Sequence, residues 1–126
     1  MKTSIADAWG KASNEQRKIN EATSDCLREA TTACLDLLVQ AQHTTGIHRV
    51  CAVGGFKDTG LGYSSEIRWS EKGDYWWTPQ RKLLLTSSHG NGYVHASGGV
   101  YMPTTGMRTD ELVDALAAGL AVKYIR

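Results

Sequence analysis

No stretch of this chain approaches the roughly 18 consecutive apolar residues that a membrane span needs. There is no CxxC pair, no HExxH and no GxSxG, so the usual signatures of a zinc site, a zinc hydrolase and a serine hydrolase are missing. Proline is scarce: there are two in 126 residues, and neither falls between residues 3 and 43. That long interval is therefore free to be helical. Charge of one sign is lacking too, with 14 Lys and Arg against 13 Asp and Glu. A net charge of +1 gives no electrostatic reason to expect nucleic acid or an anionic membrane as partner. The opening MKTSIADAWGKASNEQRK has no apolar core of the kind a secretory signal carries.

Cysteine is sparse and odd in number: Cys26, Cys34 and Cys51. On a helix, Cys26 and Cys34 would stand about 12 Å apart, too far for a disulfide. Reduced thiols filling small core positions are expected, and with them a reducing, cytoplasmic setting.

What is present reads as one α+β domain over residues 1–126. Residues 1–44 form a helical segment, 45–107 an antiparallel sheet and 108–126 a C-terminal helix. Thr3 or Ser4 can cap the first helix, with Asp7 in its first turn. Ile5, Trp9, Ala12, Gln16, Ile19, Thr23, Cys26, Ala30, Ala33 and Leu37 step by four and three and make a heptad seam. Half of its members are small or polar, which suits close packing better than a strong coiled coil. The apolar run CLDLLVQA at 34–41 marks the C-terminal half as the anchored one. The polar run at 10–18 allows either a break into two helices or a projecting surface. Gly46 suits a left-handed helix end.

After Gly46 the hydrophobic period changes from 3.6 to 2. HRVCAV at 48–53 has no strongly polar face and reads as a central strand. GGFKDTGLG at 54–62 reads as a loop; it lacks the Gly-Lys-Ser/Thr ending of a phosphate loop. In YSSEIRWS, Tyr63, Ser65, Ile67 and Trp69 share one face, and Ser64, Glu66, Arg68 and Ser70 share the other. Glu71-Lys72-Gly73 fits a three-residue hairpin loop with Gly73 left-handed. That register pairs Trp69 with Tyr75, Arg68 with Trp76 and Ile67 with Trp77; a two-residue loop would pair Trp69 with Trp76 instead. The first sends Tyr75 and Trp77 into the core and leaves Trp76 outside beside Arg68. Pro79 ends that strand or marks an edge. A second hairpin, 82–88 with 93–97, turns around His89-Gly90-Asn91-Gly92. Thr109 caps the last helix, whose apolar stripe is Leu112, Val113, Leu116, Ala117 and Leu120. The sum is a four- or five-stranded antiparallel meander with the helices on one face.

Trp76 and Arg68 then form a candidate platform, a cation–π pair worth about 0.5–2 kcal/mol. Glu66 orients Arg68, and Arg81, Lys82, His89 and Asn91 extend the binding surface. Trp and Arg are enriched at energetic centres of protein interfaces, and the same pair can stack a base and hold a phosphate. Trp9, with Ile19, needs a cover and is the candidate oligomer contact. The histidines have no carboxylate spaced to complete a metal site, and no cofactor is expected. Cys51 with His95 or His48 could make a nucleophilic pair, although an apolar run raises a thiol's pKa.

These residues point to a small non-enzymatic interaction protein, a dimer or higher. It would bind and regulate or inhibit another macromolecule, a protein before a nucleic acid, through its sheet face and hairpin loops. In size and style it resembles the small anti-defence proteins of phages and other mobile elements. Two alternatives stand beside this: an oligomeric binder of a nucleotide-like ligand at Trp76, Arg68 and Arg81, and a small Cys/His hydrolase or transferase.

Overall fold

The computed structural model describes residues 4–58, 62–87, 92–98, 100 and 106–125. Helix α1 (Ile5–Ala41) is followed by strands β1 (Ile47–Asp58), β2 (Tyr63–Glu71), β3 (Arg81–Ser87) and β4 (Val94–Gly98), then helix α2 (Thr109–Tyr124). The strands form one antiparallel sheet in the order β1-β2-β3-β4. This is the expected α+β meander, with both helices on one face. β1 is an edge strand, not a central one, and it runs on through residues 54–58 where a loop was expected. Of the expected turn His89-Gly90-Asn91-Gly92, the first three residues lie outside the described residues, and Gly92 has a positive φ of 78°.

Ser4 caps α1, its hydroxyl accepting from the Asp7 amide at 3.0 Å. The helix is continuous for 37 residues, about 55 Å. Its two halves differ sharply. No residue of α1 before Thr23 is buried, whereas Thr23, Leu27, Ala30, Thr31, Cys34 and Leu38 are. The buried stripe keeps Thr23 and Ala30 of the expected seam but turns to Leu27, Thr31, Cys34 and Leu38 in place of Cys26, Ala33 and Leu37. The reason is size: this turn puts Leu27 and Leu38 on the sheet and leaves Cys26 and Leu37 half-buried at the stripe's margin. Gly46 does not take a left-handed conformation; Gln42 ends the helix with ordinary helical angles.

The core lies between the helices and one sheet face. Ile67, Trp69, Leu83, Leu85, Val94 and Ala96 meet Leu27, Ala30, Cys34 and Leu38 of α1 and Leu112, Leu116 and Leu120 of α2. Val113 and Ala117, expected in the α2 stripe, are half-buried. Thr109 is the first residue of α2; Arg108 is its N-cap and makes no side-chain cap bond. One polar pair crosses the core: the Thr31 and Ser65 hydroxyls lie 2.6 Å apart, while Thr31 also donates to the Leu27 carbonyl. Burial pushes the Cys34 thiol up to about 12 and leaves it an inert core residue. At Gly98 a side chain is excluded outright, since a Cβ there would clash with the Lys82 carbonyl oxygen. No helix among the described residues is long and apolar enough to cross a membrane.

Candidate functional site: an exposed aromatic loop

The alternation in β2 is as expected, with Ser65, Ile67 and Trp69 buried on the core face. The expected pairing beyond it is not. Arg81, Lys82 and Leu83 stand opposite Trp69, Arg68 and Ile67, the places assigned to Tyr75, Trp76 and Trp77. Residues 72–80 are therefore a nine-residue connection outside the sheet. The physical reason is a better core: Leu83 and Leu85 fill the inward positions of β3, and the Pro79 ring never has to occupy a ladder position.

All three aromatics end up in solvent, Tyr75 66%, Trp76 92% and Trp77 61% exposed. They are nevertheless ordered with respect to one another. Tyr75 and Trp77 stack with ring centroids 4.5 Å apart and planes 4° from parallel. Trp76 meets Trp77 edge-on at 5.5 Å. The backbone beneath them is tied down. Gly73 adopts φ 92°, the left-handed turn expected of it, although in a longer loop. The Lys72 amide donates to the Gly46 carbonyl at 2.7 Å. The Tyr75 amide donates to the Thr78 hydroxyl at 3.0 Å, and the Thr78 amide returns to the Tyr75 carbonyl at 3.0 Å.

A charged network fixes the loop to the core. Arg81 donates to Asp74 and, at 3.1 Å, to Glu71. Asp74 also accepts from the Glu71 amide at 2.9 Å. That backbone bond, aided by the Arg81 guanidinium, holds the Asp74 carboxyl below the usual carboxylate range. The other Glu71 oxygen accepts from the Tyr124 hydroxyl at 2.6 Å. Tyr124 in turn accepts from the Trp69 indole at 3.1 Å. Arg81 is thus consumed in positioning the loop and is no part of an open platform.

Burial, then donation to Glu71, pushes Tyr124 up to about 12. A tyrosine in the unfolded chain titrates near ~10. The folded state holds this proton more tightly, so the stabilisation is complete below pH ~10 and is lost as pH rises towards ~12. Urea unfolding of the wild type should therefore weaken more between pH 9 and 11.5 than that of Tyr124→Phe. Equal slopes would show that burial and the Glu71 contact together do not hold the Tyr124 proton in the fold.

Arg68 and Trp76 are not a pair. Arg68 faces Lys82 on β3 and Cys51 on β1, and its charge is taken by Glu66 at 2.9 Å. Glu66 does orient Arg68 as expected. Lys82 is exposed on the same outer face, next to half-exposed Leu84. Cys51 is exposed rather than sunk in an apolar run. His95 lies on β4, the opposite edge from β1, about 14 Å away by three interstrand spacings, so the two cannot act as a dyad. Among the described residues no three His, Cys, Asp or Glu gather to hold a metal. Trp9 and Ile19 sit on the projecting half of α1, 72% and 41% exposed. Their own fold covers neither.

A residue that pattern reading missed is Arg49. Between the pairs His48–Ser70 and Cys51–Arg68, β1 has one residue more than β2. At this bulge Arg49 takes φ 53°, alone among the described non-glycine residues. Bulges of this kind re-aim side chains. His48, Arg49, Ser70, Asp74, Tyr75, Trp76, Thr78 and Gln80 line a cleft of about 290 Å³. The sequence signal for Arg49 was faint: HRVCAV has no strongly polar face and reads as a regular central strand.

No known family, no curated protein and no solved structure matches this chain.

Proposed function

We propose that the protein is a non-enzymatic interaction protein that grips a partner protein with the 72–80 loop. One observation carries this: Tyr75, Trp76 and Trp77 are 66%, 92% and 61% exposed on a loop whose backbone is hydrogen-bonded in place. Beyond their stack and edge contact with one another, three rings held in water add little to a chain's own stability. A partner gains much, because rigid aromatic anchors carry most of the energy of an interface at little entropic cost. The outer sheet face, with Lys82, Leu84 and the Arg68–Glu66 pair, adjoins the loop as a polar rim. A regulatory or inhibitory role in the cytoplasm, of the kind mobile elements exert on a host complex, suits a small binding domain of this form. The test is quantitative capture of proteins from the source cells on wild type and on Trp76→Ala. A partner retained by the first and lost by the second supports the reading; equal recovery on both removes the loop from it.

A homo-oligomer is proposed through the projecting half of α1. Ile5, Trp9 and Ile19 lie there on one helical stripe, 89%, 72% and 41% exposed. An isolated polar helix of this length is marginal in water and gains from a partner helix. Sedimentation equilibrium should show Trp9→Glu shifted towards monomer. An unchanged mass would remove this contact.

A further inference from the structure

The cleft beside the aromatic loop has a composition that a protein anchor does not require. Trp76 forms one wall, 92% exposed and touching its own fold through an edge contact with Trp77. Arg49, on the bulge of β1, lines the same cleft, exposed and with no ion-pair partner among the described residues. Its left-handed backbone is uncommon for a residue with a side chain, and strain of this kind collects at ligand sites. His48 adds an imidazole, and Ser70, Thr78 and Gln80 add hydroxyls and an amide. The carboxylate on the lining, Asp74, is already held by Arg81 and the Glu71 amide. It therefore opposes an incoming anion less than a free carboxylate would. The volume, about 290 Å³, lies at the lower edge of the ~300–1,000 Å³ that small-ligand sites span.

An exposed indole and a guanidinium without an ion-pair partner on one cleft, with amide and hydroxyl groups on the same lining, match a planar base bearing a phosphate. Stacking on aromatics with a cation on the phosphate is how bases are held without sequence reading. We propose that this cleft binds a nucleotide, its base stacked on Trp76, its phosphate on Arg49 and its base edge within reach of Gln80. Arg49 takes the role that sequence patterning gave to Arg68 and Arg81, both of which are ion-paired elsewhere. The site shares Trp76 with the protein-binding loop but does not depend on that reading.

The experiment is a titration of the full chain with AMP, GMP, CMP and UMP, with adenosine, and with an eight-nucleotide oligothymidylate. Binding is followed by the backbone and indole N–H shifts of the labelled protein. Saturable shifts at the Trp76 indole and the Arg49 amide are expected. Adenosine should bind about tenfold more weakly than AMP, the loss of one charge-assisted contact. Saturation by mononucleotides identifies a free nucleotide as the ligand; saturation by the oligomer alone identifies a nucleotide of a single strand. Arg49→Gln should bring AMP down to the adenosine level. Arg49→Gly should do the same while raising the melting temperature, because glycine accepts the left-handed backbone. No shift at millimolar nucleotide, shifts confined to other residues, or full AMP affinity in both Arg49 variants would overturn the site. If Trp76→Ala loses the protein partner while no nucleotide binds, the nucleotide site fails and the partner-binding reading stands.

Discussion

Trp69→Ala is expected to cost about 3–5 kcal/mol, the range for removing a fully buried tryptophan. The side chain has no solvent exposure, lies two residues from the end of β2 within the core cluster and donates to Tyr124 of α2. Its loss also leaves the Tyr124 hydroxyl without the indole donor and so loosens the chain of contacts through Glu71 to Arg81 and Asp74. Domains of this size hold only about 5–15 kcal/mol in total. The variant should unfold at much lower urea than the wild type with an unchanged m-value. Its aromatic loop should also become mobile, seen as lowered fluorescence anisotropy of the remaining indoles. A loss under about 1 kcal/mol would mean that the core closes elsewhere and that Trp69 does not support the loop.

The opposite result is expected seven residues on. Trp76→Ala should lower the unfolding free energy in urea by no more than about 1 kcal/mol, since the position is exposed and loses one edge contact with Trp77. Yet it should weaken partner binding by 2 kcal/mol or more, about 30-fold, as truncation of an aromatic anchor does. Trp77→Ala should show some of each effect, because it also removes the stack with Tyr75 and the edge contact with Trp76, worth about 0.5–1.5 kcal/mol per aromatic pair. A stability loss at Trp76 as large as at Trp69 would show that Trp76 is core and would end the binding reading.

The contrast between these two tryptophans measures how far the residues alone could be read. The alternation of β2 was legible because one face is buried and a period of two is unambiguous there; Trp69 fell on the correct side. The ends of the fold were legible because the cap at Ser4 and the stripe Leu112, Leu116, Leu120 are local signals. Register across the connection was not. Tyr75 and Trp77 have the apolar bulk of core residues, and a short hairpin would have used it. The competing choice was made by Leu83 and Leu85, farther along the chain, which pair with β2 in their place. The turn formers Gly73, Asp74 and the Thr78-Pro79 step mark this connection as longer, and they are the signal that could have revealed it. The turn of the α1 stripe escaped for a similar reason: either a 26/30/33/37 or a 27/31/34/38 face is helical, and only the sheet beneath selects the larger leucines. Arg68 and Arg81 attract attention as cations near tryptophans, but ion pairing depends on neighbours brought in by the fold. Arg49 depends on a bulge, which a single strand's pattern does not reveal.

The central claim is that the 72–80 loop is where a partner sits. Hydroxyl-radical footprinting of the protein in the complex isolated gently from its own cells tests it most directly, because indole and phenol rings are the reactive groups. Tyr75, Trp76 and Trp77 should be strongly labelled in the free chain and protected in the complex, while buried Trp69 stays unlabelled in both. Protection at Trp9 or on the outer sheet face, with the three loop aromatics as reactive as in the free chain, would contradict it.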